Sequence, residues 1–222
     1  MLQEIINAFA KLTEDPNHRY KSWEHCYTYF KENRFKQDKD IDVFALNLFA
    51  YLTSWGMLRG SSFLMQKDYK FHYEIVEILL DTKYDVLQDI DLATITETEI
   101  DLILNLKDSL KKSFWDRTYL VNGVPNSNNT GTDTLISKIM LGTLCCSPAY
   151  DRFFRDGLDI KGIPNKSFNK KAFLSQKEYF NNNLNEFLDT QKKINQLAGF
   201  KYPTMKVFDM YLWELGYEKS LK

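Results

Sequence analysis

Lys138 and Asp151 are the side chains in this sequence whose types and spacing could support a reaction. They lie in TDTLISKIMLGTLCCSPAYDRFFRDGL, residues 132–158. The first part reads as a helix carrying Lys138. After a short break, Ser147-Pro148 marks a second helix start, since proline at the first helical position forfeits only an N–H that would be unpaired anyway. Asp151 is then expected in the first turn of that second helix. A desolvated lysine amine is a nucleophile, and a carboxylate beside it stabilises cationic charge on a neighbouring carbon. Plainer roles compete. An acid in a first helical turn complements the helix dipole by about 0.3–1 kcal/mol, and a lysine on an amphipathic helix is ordinarily solvated.

A lysine-bearing helix followed by an apolar run, a proline and an aspartate resembles the core of the helix-hairpin-helix DNA glycosylases. The resemblance covers residues 132–158 of 222. It implies base excision, with Lys138 as the family's lysine and Asp151 as its active-site aspartate. The excised base would be extruded into an aromatic-lined pocket. The chain departs from the family in two ways: Ile136 and Ser137 stand where closely spaced glycines normally precede the lysine, and the interval from Lys138 to Asp151 is shorter.

Two other stretches suit anions. In Trp55-Gly56-Met57-Leu58-Arg59-Gly60-Ser61-Ser62, a turn with Arg59 and Ser61 precedes an expected helix, whose free N–H groups would bind phosphate or carboxylate. Between Asp151 and Lys177 there are seven bases against three acids, and Arg152, Arg155, Lys170 and Lys171 are the candidates there for contacting nucleic acid. Both also read as ordinary surface, a helix–helix turn and a solvated basic face. The segment 81–101 is their acidic counterpart, with seven acids against Lys83 alone.

No metal or cofactor is expected. Cys26, Cys145 and Cys146 form no chelating or redox spacing, and His18, His25 and His72 are scattered. Such cysteines read as small apolar residues in a reducing compartment. Phosphate-loop, dinucleotide-binding, serine-hydrolase and kinase signatures are all missing. No apolar run approaches the roughly 20 residues that span a bilayer, and the first residues do not read as a signal peptide. A cytoplasmic protein is expected, and its Lys- and Asn-rich composition suggests an AT-rich bacterial genome. With 29 basic and 30 acidic residues, the chain lacks the global positive field of a dedicated nucleic-acid binder. Aromatic residues make up 15% of it, enough to fill a core or line a groove.

Helical periodicity organises the whole. Ile41, Phe44, Ala45, Leu48, Leu52 and Trp55 form one stripe behind an Asp40 cap. Thr96 to Glu99 is a capping box opening a helix to about Trp115. Ser175 to Glu178 reads as a second box, opening a segment to about Leu197, with Gly199 as its stop. Asp15-Pro16 reads as another helix start. Met205 to Tyr217 is apolar on nearly every side and so buried, which obliges Asp209 or Glu214 to find a cationic partner. Val121 to Gly131 and Gly157 to Asn169 read as loops, and no strand stands out. The expectation is one all-α domain, residues 1–222, with nine or ten helices in an orthogonal bundle and any division into lobes near 121–131.

Three functions fit. The first is a helical binding protein for another protein or a nucleic acid, met through the basic stretch. The second is a DNA-processing enzyme similar to the glycosylases, and the third a pocket protein for an apolar ligand.

Overall fold

The computed structural model describes residues 2–60, 62–126 and 131–221. Among these are ten α-helices: α1 (Gln3–Thr13), α2 (Lys21–Asn33), α3 (Ile41–Ser54), α4 (Tyr73–Leu79), α5 (Glu97–Trp115), α6 (Asp133–Thr143), α7 (Arg152–Ile160), α8 (Lys170–Asn182), α9 (Leu184–Ala198) and α10 (Thr204–Ser220). Three short 3-10 turns, Phe63–Gln66, Tyr69–His72 and Thr82–Leu87, join α3 to α5 around α4. The fold is all-α. Its one departure among the described residues is a hairpin, β1 (Tyr119–Val121) antiparallel to β2 (Val124–Asn126). It occupies the start of the expected 121–131 loop, where Asn122 and Gly123 both take positive φ and so supply the tight turn.

The caps explain which boundaries the sequence marks. Asp40 Oδ1 accepts the amides of Asp42 and Val43, and Thr96 with Glu99 closes a complete capping box. Gly199 ends α9 in the left-handed conformation. The other marks fail. Ser175 sits inside α8 and donates to the Lys171 carbonyl, because α8 already starts at an Asn169 cap. The long segment then breaks at Asn183. Asp15-Pro16 falls in the turn between α1 and α2 and starts no helix. Ser147-Pro148 likewise lies ahead of α7, whose cap is Asp151 itself, and Gly157 is within α7, leaving the loop only from Lys161 to Asn169.

Helix α6 is the central element. Every residue from Leu135 to Thr143 is buried, the pattern of a helix enclosed on all sides. Buried side chains from Leu2 to Leu212 form one connected core around it. All three cysteines are buried within that core, and burial raises their thiols, Cys146 to about 12. They serve there as small apolar groups. Cys145 ends α6 by taking φ +53°, so that its N–H bonds back to the Met140 carbonyl.

His72 is enclosed in the same core. It is fully buried, its Nε2 lacks a partner among the described residues, and burial pulls it down to about 4, with the Arg117 charge adding to the effect. The unfolded chain therefore takes a proton near the ordinary 6.5 while the folded chain refuses it until about 4. Stability is expected to fall by about 3 kcal/mol between those values, at about 1.4 kcal/mol per pH unit. Urea midpoints of the wild type and His72→Phe at pH 7, 5.5 and 4 check this. The wild type should lose stability on acidification more steeply than the variant.

Candidate functional site

The residues linking α6 to α7 are buried although they form no helix, so their backbone polar groups need side-chain partners. Ser137 Oγ accepts the Tyr150 N–H at 2.8 Å, and Thr134 Oγ1 donates to the Tyr150 carbonyl at 3.0 Å. Asp209 Oδ1 of α10 accepts the Ala149 N–H at 2.8 Å. Tyr150 is pinned by a Gln176 hydrogen bond at 3.0 Å and by stacking on Phe168 at 4.6 Å. Those contacts fix where the next residue, Asp151, enters α7. Its Oδ1 caps the helix by accepting the Phe154 N–H at 3.1 Å.

Lys138 projects from α6 toward the same point. Its Nζ lies 3.1 Å from Asp151 Oδ2, with side-chain exposures of only 7% and 13%. A second pair stands nearby on α10, where Lys206 Nζ donates to Asp209 Oδ2 at 2.9 Å. Both ammonium groups lie against the Trp55 ring, each 5.6 Å from its centroid, and Lys206 is also 5.1 Å from that of Trp23. A desolvated cation over an indole gains about 2 kcal/mol or more, which helps to hold two lysines among aromatic rings.

Between these groups is a cavity of about 80 Å³. One water needs roughly 10–15 Å³, so several waters or a small planar group would fit. Its walls come from Ile5 and Phe9 of α1, Tyr20 and Trp23 at α2, Tyr51 and Trp55 at the end of α3, and Trp213 of α10. Both lysine–aspartate pairs line it, as does Glu214, whose carboxyl is raised by burial and secondarily by Glu218. Tyr51 fits under α6 because residue 142 is glycine; any Cβ there would overlap its ring.

Lys138 and Asp151 thus meet in one place. The expected anion-binding residues do not join them on the cavity wall. Arg59 is exposed, and no α-helix N-terminus follows it, only the 3-10 turn Phe63–Gln66. Ser61 lies outside the described residues. Arg152 stacks over Phe153, whose ring packs edge-on to Trp213, so this arginine stands one ring away from the cavity. Arg155 donates to the Lys166 carbonyl at 3.4 Å and borders an open groove shared with Lys111, Lys112 and the exposed Trp115. Lys170 is bound to Glu97 and Asp101, so the basic stretch partly neutralises the acidic one; Lys171 is exposed.

The second lysine and most of the rings were not singled out by the sequence. Lys206 could have been: it precedes Asp209 by three residues on an otherwise apolar helix, the spacing at which helical side chains meet. Nothing local marks Tyr20 or Trp213. Among the described residues, no cluster of three or more His, Cys, Asp or Glu could hold a metal, and no helix is long and apolar enough to cross a membrane. No protein-family model, curated protein or solved structure matches the chain.

Proposed function

We propose that the chain is a DNA-processing enzyme of the base-excision kind, with the aromatic cavity as the pocket for an extruded base and Lys138–Asp151 at its reacting end. One observation carries this reading: a lysine and a helix-capping aspartate, thirteen residues apart in sequence (151 − 138), meet at 3.1 Å on the wall of an aromatic-lined cavity. Asp151 is also where the resemblance to the helix-hairpin-helix glycosylases puts the active-site carboxylate.

The chemistry follows from the charges. The bond between C1′ of the sugar and the base breaks, and the bonding pair leaves with the base, which takes a proton from water. The positive charge left on the sugar is stabilised by the Asp151 carboxylate, whose position is fixed by the α7 amide it caps. Water then adds to C1′. Alternatively the Lys138 amine, its proton passed to water, adds to C1′; the C1′–O4′ bond then breaks, O4′ takes up a proton as the nitrogen gives one up, and an imine is left. Arg152, Arg155 and Lys171 are the proposed contacts to the phosphate backbone. Their share of the affinity should fall steeply with added salt as counterions are released.

Duplex oligonucleotides carrying a single uracil, hypoxanthine, 8-oxoguanine or alkylated adenine test this. Release of one of these bases, leaving an alkali-labile site, is expected. Borohydride should trap any imine on the peptide containing Lys138. Intact glycosidic bonds across the whole set would overturn the proposal.

A further inference from the structure

The donors and acceptors on the cavity wall are unequally used. Asp151 and Asp209 are spent on both oxygens: Asp151 on the Phe154 amide and Lys138, Asp209 on the Ala149 amide and Lys206. The Trp23 indole N–H is also spent, donating to the Leu141 carbonyl at 2.9 Å. Two buried donors are not. Trp55 Nε1 and the Tyr20 hydroxyl donate to no partner among the described residues, although both side chains line the cavity and Tyr20 is only 5% exposed. The Lys21 ammonium beside Tyr20 can only donate, so the phenol keeps its own proton to give. An indole N–H has no acceptor role at all.

Leaving a buried donor unmet costs about 1–3 kcal/mol. Two of them on the wall of one aromatic cavity suggest that the occupant meets them. Each lysine has further N–H groups beyond the one directed at its aspartate, which extends the same donor-rich edge. Glu214 is the one carboxylate on the wall without a pairing cation among the described residues, so it can accept a ring N–H.

We infer that Trp55 and Tyr20 are specificity-determining residues that donate to the carbonyl oxygens of a planar heterocycle, so that the cavity selects oxo-substituted rings over rings lacking an acceptor. This deepens the proposed base pocket and rests on that reading for its place in catalysis. The binding it describes is measurable without any catalysis.

The test uses free rings and the intact protein. The chain has four tryptophans, and their indole N–H cross-peaks in a ¹H–¹⁵N spectrum can be assigned with Trp55→Phe. Uracil and xanthine, each with two ring carbonyls, are expected to bind saturably. They should move the Trp55 cross-peak downfield while that of Trp23, already bonded to Leu141, stays near its place. Aniline, a ring of similar size without a carbonyl, should not bind. The Tyr20→Phe/Trp55→Phe double variant should bind uracil at least tenfold more weakly, and Tyr20→Phe alone, which leaves the Trp55 ring beside both lysines, should also bind it more weakly while melting no lower than the wild type. A purely structural role for Tyr20 would instead lower the melting temperature of that single variant. Equal binding of aniline, uracil binding that leaves the Trp55 signal unmoved, or no binding of uracil or xanthine would each overturn the inference. Saturable uracil binding without base release from DNA would sink the excision reading alone. Base release with an unmoved Trp55 signal would sink this inference alone.

Discussion

Replacing Gly157 with alanine is expected to destabilise the protein by about 3 kcal/mol, although helix propensity alone predicts a gain of about 1 kcal/mol for that change. Gly157 lies inside α7, where a Cβ would fall far inside contact distance of the Leu212 carbonyl oxygen of α10. The arrangement is reciprocal. A Cβ at Gly216 of α10 would meet the Phe153 carbonyl of α7 in the same way. Backbone therefore packs on backbone at both points, and no side chain can rotate to make room. The helices must separate, which opens the contact between Phe154 and Phe208 and loses dispersion along the interface.

The separation would also reach the candidate site, since Asp151 caps α7 while Lys206 and Asp209 ride on α10. In a chain of this size about 3 kcal/mol lowers the melting temperature by roughly 6–12 °C. Gly216→Ala should do the same, and the double substitution should cost less than the two losses added, because one separation accommodates both methyl groups. Gly162→Ala is the control. Its φ of +63° makes alanine strained, but nothing lies within 4 Å, so only about 1 kcal/mol should be lost. Thermal melts of the four variants check the order. A melting temperature for Gly157→Ala at or above that of the wild type would refute the packing account.

These glycines also show why part of the fold was legible and part was not. Periodic stripes and caps are local, so the all-helical class and the starts at Asp40, Thr96 and Thr132 could be read directly. Gly157 carries the same local signal as any loop glycine, and only its meeting with Leu212, 55 residues on (212 − 157), makes it a packing residue. The misread cap at Ser175 has a similar origin: a box of the right letters lost to Asn169, which caps α8 one and a half turns earlier. At the site, Lys138 and Asp151 stood out because both lie in one short segment. Tyr20, Trp55 and Lys206 come from three separate regions that only the core brings together.

Asp151→Asn is expected to cost about 3 kcal/mol, and Lys138→Met only about 1–2 kcal/mol, because the two charges do not depend on each other equally. Asparagine is as good a helix cap as aspartate, so the hydrogen bond to Phe154 survives in Asp151→Asn. What is lost is the counter-charge to an ammonium held at 7% exposure against Trp55. In Lys138→Met the remaining carboxylate is half compensated, since it keeps the Phe154 amide and the positive end of α7, and methionine refills most of the lysine stem. The double substitution Lys138→Met/Asp151→Asn removes both charges while keeping the cap and the volume. It should recover most of the summed loss of about 4–5 kcal/mol, for a coupling of about 3 kcal/mol. Urea denaturation of the four proteins measures that cycle, and simple additivity would show that the pair contributes nothing to the fold. The same double variant separates folding from chemistry: it should melt close to the wild type yet release no base and form no borohydride-trapped adduct. Excision persisting in that variant would mean that the reacting groups lie elsewhere on the cavity wall, with Lys206 and Asp209 the next pair to replace.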